Sequence, residues 1–172
     1  MAARVAAVGA TLRQRSAQTG VEVSTTLDLA TGRPIGPTLT GELDHVIFSS
    51  QFAAFQPGHR YVQLHTHPGN SSFSDYDLGM LLEHGALRTL AVVTEDSHWY
   101  LLSKRPGRRL ASPGVAQARW LQVFRELAYR DEPLIAQGRL TQHAALVREV
   151  HETMTRLAPE LGLRYDDLEC FA

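Results

Sequence analysis

Between residues 61 and 83 the apolar spacing changes from a period of two to a period near 3.6, and this switch constrains the chain more than any other feature. Tyr61-Val62-Gln63-Leu64 reads as a strand that runs on through His65-Thr66-His67. Pro68 stops it, and Gly69-Asn70-Ser71 turns the chain. Leu78, Leu81 and Leu82 then recur at helical spacing behind Ser74, an N-cap with Asp77 three residues on, which is a capping box with Asp in place of Glu. Gly85 is expected to close that helix.

The same segment carries the chemistry. Alternation along a strand puts His65 and His67 on one face, and the first turn of the following helix presents Asp77 toward them. Two imidazole nitrogens and one carboxylate oxygen make a three-ligand zinc set with the fourth tetrahedral position left for water, as in catalytic sites. The single cysteine, Cys170, rules out a cysteine-ligated site and fits a reducing compartment, so a metal must be held by His and carboxylate. In the alternative reading the histidines are ordinary and Ser74 and Asp77 only cap a helix; the joint pattern favours the metal.

His65-Thr66-His67-Pro68 followed by Ser74-Asp75-Tyr76-Asp77 resembles the signature of the JAB/MPN metalloproteases. Six residues separate His67 from Ser74, one fewer than in many members of that family, so the chain looks more like the phage and bacterial members. The resemblance covers roughly residues 15 to 104. It implies one zinc ion per chain on His65, His67 and Asp77, an upstream Glu that handles protons, and a Ser74 hydroxyl that serves the developing oxyanion. It also implies a polypeptide substrate, such as a ubiquitin-like tail, a sulfur-carrier fusion, a phage polypeptide or a toxin precursor. Relatives that keep the fold and lose the metal serve as scaffolds, which is the alternative function. The PHP phosphoesterases share a His-x-His motif, but a full barrel needs about 250 residues. Only 95 residues follow Asp77.

Glu22, flanked by Val21 and Val23 on the first strand, is the favoured general base, taking a proton from the water and passing it to the leaving amine. Glu42, behind Gly41, is the competitor; Asp44 and His45 rank lower, and Asp75 reads as an acid favouring the helix N-terminus. Ser74 keeps both readings, cap and oxyanion donor. His59, His84, His98, His143 and His151 lack partners at ligand spacing and read as structural or exposed, and Trp99 and Tyr100 as packing.

The rest of the chain predicts an α/β (α+β) domain with a mixed, mostly antiparallel sheet flanked by helices. A first helix over Met1 to Gly20 leads into a hairpin punctuated at Asp28 to Gly32 and at Pro34, Gly36 and Pro37. A second strand pair follows, His45 to Phe48 with Tyr61 to Leu64, and Ser49 to Phe55 between them reads as a short helical turn. Leu87 to Thr94 and His98 to Leu102 form two more strands. Residues 1–110 are taken as the core and 111–172 as a helical C-terminal extension on the same domain. In it Trp120, Val123, Phe124 and Leu127 make one stripe, and Leu146 or Val147, Val150, Met154 and Leu157 another.

Seventeen Lys+Arg against eighteen Asp+Glu leave a net charge of −1, so no global field recruits nucleic acid or an acidic membrane. The Arg105 to Arg109 patch reads as a solvated loop, with a phosphate or polyanion site as the alternative. No apolar run approaches the ~20 residues of a membrane span, and the first residues lack the apolar core of a secretory signal. The expectation is a cytoplasmic protein of undetermined oligomeric state.

Overall fold

A computed structural model describes residues 1–42 and 49–169. The expected strand His45 to Phe48, the weaker candidates Asp44 and His45, and Cys170 lie outside the described residues.

The described chain is a mixed α+β fold. Its helices are α1 (Ala2–Thr19), α2 (Ser49–Phe52), α3 (Asp75–Glu83), α4 (Pro113–Ala136) and α5 (Gln142–Glu160). Its strands are β1 (Val23–Asp28), β2 (Leu39–Thr40), β3 (Tyr61–His67), β4 (Leu87–Thr94), β5 (Trp99–Lys104) and β6 (Leu163–Leu168). They form one sheet in the order β2-β1-β3-β4-β5-β6, in which β3 and β4 run parallel and every other neighbouring pair is antiparallel. The parallel pair is joined by a crossover, the loop at 68–74 and α3, as parallel strands require.

Helices cover both faces of the sheet. Val5 and Leu12 of α1 pack with Val23, Leu27, Val62, Leu64, Ala91, Val93 and Trp99 on one face. The approach is so close that a Cβ on Gly9 would fall 2.1 Å from the Trp99 ring. On the other face Leu78 and Leu81 of α3, Trp120 and Leu127 of α4, and Met154 and Leu157 of α5 pack on Tyr61, Leu90, Val92, Tyr100 and Leu102. All seven residues of β3 are buried, as befits a central strand covered on both sides.

Local signals explain the helix ends. Gly20 adopts a left-handed conformation (φ 69°) and donates its N–H to the Ser16 carbonyl. Ser112 caps α4 ahead of Pro113, and Thr141 caps α5.

Four expectations need correction. Gly85 does not close α3: the helix ends at Glu83, and His84 is its C-cap in an extended conformation, with its N–H on the Met80 carbonyl. The hairpin after α1 is vestigial, because β2 has two residues and β1 takes β3 as its main partner. The C-terminal extension is not wholly helical, since Leu163–Leu168 pairs with β5 and forms the edge of the same sheet. In α5, Leu146 is exposed and Val147 only half-buried, whereas Ala145 and Val150 are buried.

No helix among the described residues is long and apolar enough to cross a membrane.

Candidate metal centre

β3 delivers His65 and His67 to the sheet face that carries α3. Pro68 ends the strand, Asn70 turns the chain at φ 57° with its N–H on the His67 carbonyl, and Ser74 starts α3. The capping box is present in full: Asp77 N–H donates to Ser74 Oγ at 3.2 Å, and Ser74 N–H donates to Asp77 Oδ2 at 2.9 Å. Ser74 Oγ also donates to Asp77 Oδ2 at 2.7 Å. These bonds occupy Oδ2 and fix the carboxylate so that Oδ1 faces His65 Nε2 at 3.3 Å. His67 Nε2 lies 3.9 Å from Asp77 Oδ2, and the two imidazole centroids are 4.7 Å apart.

One ligand atom from each of His65, His67 and Asp77 falls within 4.8 Å of the others, and all three residues are buried. The group can hold a metal ion.

Two residues that the sequence reading did not single out complete the arrangement. His65 Nδ1 lies 3.0 Å from Gln63 Oε1, and the Gln63 amide is oriented by its Nε2 donating to the Leu64 carbonyl at 3.2 Å. His67 Nδ1 lies 3.0 Å from the Ser71 carbonyl. A carbonyl oxygen can only accept, so in a neutral ring Nδ1 carries the proton and Nε2 offers its lone pair toward the other ligands. Such partners commonly orient metal-binding histidines. The signal for Gln63 was its place two residues before His65, which puts it on the same strand face.

Glu22 arrives by pairing. In the β1–β3 ladder Ser24 faces His65, so the residue two before Ser24 falls opposite His67. Glu22 is buried there, with Oε1 3.6 Å from His67 Nε2. Its backbone is tied to the segment before the undescribed residues by Glu22 N–H to Glu42 O at 2.9 Å and Gly41 N–H to Glu22 O at 2.8 Å. Glu42 is exposed and contributes this carbonyl. Asp75 accepts a bond from Gln117 Nε2 at 3.2 Å.

Burial dominates the electrostatics, and the neighbours decide its outcome. It pulls the His67 pKa down to about 4, helped by His65, so this ring is neutral at pH 7. Burial works against a charged His65 too, but Asp77 and then Glu22 outweigh it and its pKa is raised. Burial also opposes ionisation of Asp77, yet His65, His67 and Ser74 hold its carboxyl well below the usual range.

None of the other described histidines joins this group. His59 Nδ1 pairs with Asp28 Oδ2 at 2.5 Å, His98 pairs with Asp167, and His151 Nδ1 lies 2.9 Å from the Tyr165 hydroxyl. His84 lies against Phe52 with ring centroids 3.9 Å apart and planes tilted by 35°. His143 Cε1 would lie 3.8 Å from a Cβ on Gly69 of the loop.

No family model, curated protein or solved structure matches the chain.

Proposed function

We propose that the chain is a zinc-dependent metallopeptidase that hydrolyses a peptide or isopeptide bond. The observation that carries this reading is the convergence of His65, His67 and Asp77 with a buried carboxylate, Glu22, beside them. The donor set fits zinc, being two imidazole nitrogens whose opposite sides are tied to carbonyls and one capped carboxylate, with a fourth position for water. Zinc held there would supply a water of pKa near 7 and polarise the scissile carbonyl.

The protein's own groups do the rest. Glu22 takes the proton of the attacking water at Oε1 and delivers it to the nitrogen of the leaving amine. Ser74 gives its hydroxyl to the developing oxyanion, for which its single proton turns from Asp77 Oδ2 to the substrate oxygen. The capping bond from Asp77 N–H to Ser74 Oγ persists through that turn, because Oγ accepts it with a lone pair. The substrate is a polypeptide, and a ubiquitin-like or sulfur-carrier protein is the class the motif suggests.

Metal analysis by mass spectrometry on protein purified without an affinity tag tests the reading. About one zinc per chain in the wild type, lost in a His65→Ala, His67→Ala double variant, supports it. No metal in either protein after zinc is offered overturns it in favour of a non-catalytic scaffold.

A further inference from the structure

At the other end of the sheet the charge has the opposite sign. β5 ends at Lys104, the chain's single lysine, and Arg105-Pro106-Gly107-Arg108 follows as a β-turn. Arg108 N–H donates to the Arg105 carbonyl at 3.3 Å, Pro106 holds the second position, and Gly107 takes the third with φ 71°. A turn of this kind keeps its end Cα atoms within about 7 Å, so Arg105 and Arg108 are held as a pair.

The loop is anchored beyond the turn. Arg105 N–H donates to the Gly162 carbonyl at 3.1 Å and Ala111 N–H to the Leu161 carbonyl at 3.3 Å. Gly162 has φ 80°, and a Cβ there would lie 2.5 Å from the Arg109 carbonyl oxygen, so the α5–β6 connection fits against the loop only as glycine.

Lys104, Arg105, Arg108 and Arg164 line an open groove of about 550 Å³ with Ser103 and Pro106. Arg164 is paired with Asp166 at 2.7 Å, and Lys104 Nζ donates to the His84 carbonyl at 2.7 Å. Arg105 and Arg108 have no carboxylate partner among the described residues, and both are exposed. Arg60 and Arg88, at the starts of β3 and β4, extend the field: after burial itself, their charges pull the Lys104 pKa down to about 8. Cations therefore stand at the same end of β3, β4, β5 and β6, three strand spacings or about 14 Å across. In a chain of net charge −1 this is a strong local excess.

We propose that this groove binds a linear oligophosphate, either free or as the phosphate tail of a nucleotide. Linked phosphates place several negative charges on a few atoms, matching the guanidinium forks carried at the two ends of one turn. Carboxylates on an extended peptide recur on one side only every ~7 Å, a poorer match to converging cations. None of the lining residues is aromatic, so the groove offers no stacking platform for the bases of a single strand. The site lies roughly 20 Å from the histidines, the length of β3, and does not depend on the peptidase reading.

Calorimetric titration of the full chain with inorganic tripolyphosphate, at fixed ionic strength, tests the proposal. One saturable site is expected, weakened about tenfold or more in an Arg105→Ala, Arg108→Ala double variant with unchanged melting temperature. An Arg125→Ala control on the exposed side of α4 should bind like the wild type. Adenosine triphosphate binding as well as tripolyphosphate would assign the groove to the phosphate chain alone, and tighter binding to a nucleotide. Absence of a saturable site, equal affinity in the double variant, or tighter binding of poly-aspartate than of tripolyphosphate would overturn it.

Discussion

Asp77 and Asp131 are both buried carboxylates whose pKa is depressed, and they are held in opposite ways. Asp131, on α4, accepts from Arg130 Nε at 2.7 Å on Oδ1 and from Arg148 Nε at 3.0 Å on Oδ2, with Arg148 Nη2 in ion-pair distance of Oδ1 at 2.6 Å. Arg130 reaches on to Glu152 at 2.7 Å, so the cluster ties α4 to α5 with charges already matched. Asp77 has its Oδ2 taken by Ser74, while Oδ1 faces an imidazole nitrogen at 3.3 Å, a contact too long to be a strong charge-assisted bond. A carboxylate saturated by two guanidinium groups is a fastening. One that is oriented by a helix cap and turned toward two imidazoles can serve as a metal ligand.

The largest effect that would sharpen this contrast is on turnover. Glu22→Gln should lower hydrolysis of a polypeptide substrate by roughly 10²–10⁴-fold while zinc content stays at the wild-type level, because only proton transfer is removed. Rates measured beside metal content check it, and full activity would send the role to Glu42.

Asp131→Asn should cost about 3 kcal/mol of stability at pH 7 by replacing a buried, charged acceptor oxygen with an amide that faces two guanidinium groups, with no change in metal content. The folded pKa of Asp131, about 2 under the influence first of Arg130, lies below its ordinary value of 3.8. Its stabilisation is therefore present above about pH 4 and lost as pH falls toward 2. Denaturant melts of both proteins across that window should converge at the acid end, and a gap that persists would break the comparison.

Asp77→Asn should behave differently. Zinc at 100 times its dissociation constant should raise wild-type stability by about 2.7 kcal/mol, and the variant should gain little. Melting temperatures with and without zinc decide this, and equal gains would remove Asp77 from the ligand set. The smallest effect is expected for Gln63→Ala, which frees His65 Nδ1 without touching a ligand: zinc affinity should fall 10- to 100-fold, read by competition with a chromophoric chelator.

These contrasts also separate what was legible in the sequence from what was not. The strand alternation of His65 and His67, the stop at Pro68 and the Ser74–Asp77 box act over a few residues, so residue types and spacing alone specify them. Glu22 was singled out by its strand context, but only the β1–β3 register, with Ser24 opposite His65, sets it against His67. β6 is not legible because Leu163-Arg-Tyr-Asp-Asp-Leu is charged at half its positions and pairs with β5 along one edge only, so it falls within the expected helical extension. Gly85 misled because α3 turns out of its helix one residue earlier, at an extended His84 that needs no left-handed residue.

The crossover that joins the parallel strands has a kinetic consequence. His65, His67 and Asp77 lie within twelve positions of one another on a single strand–loop–helix segment, so the entropy of closing that loop is small. Glu22 stands 43 positions before His65 and reaches the site only when β1 docks along β3, a contact of much higher order. If the proposed function holds, zinc present during refolding can thus be captured by a local nucleus before Glu22 arrives, and occupancy should run ahead of activity.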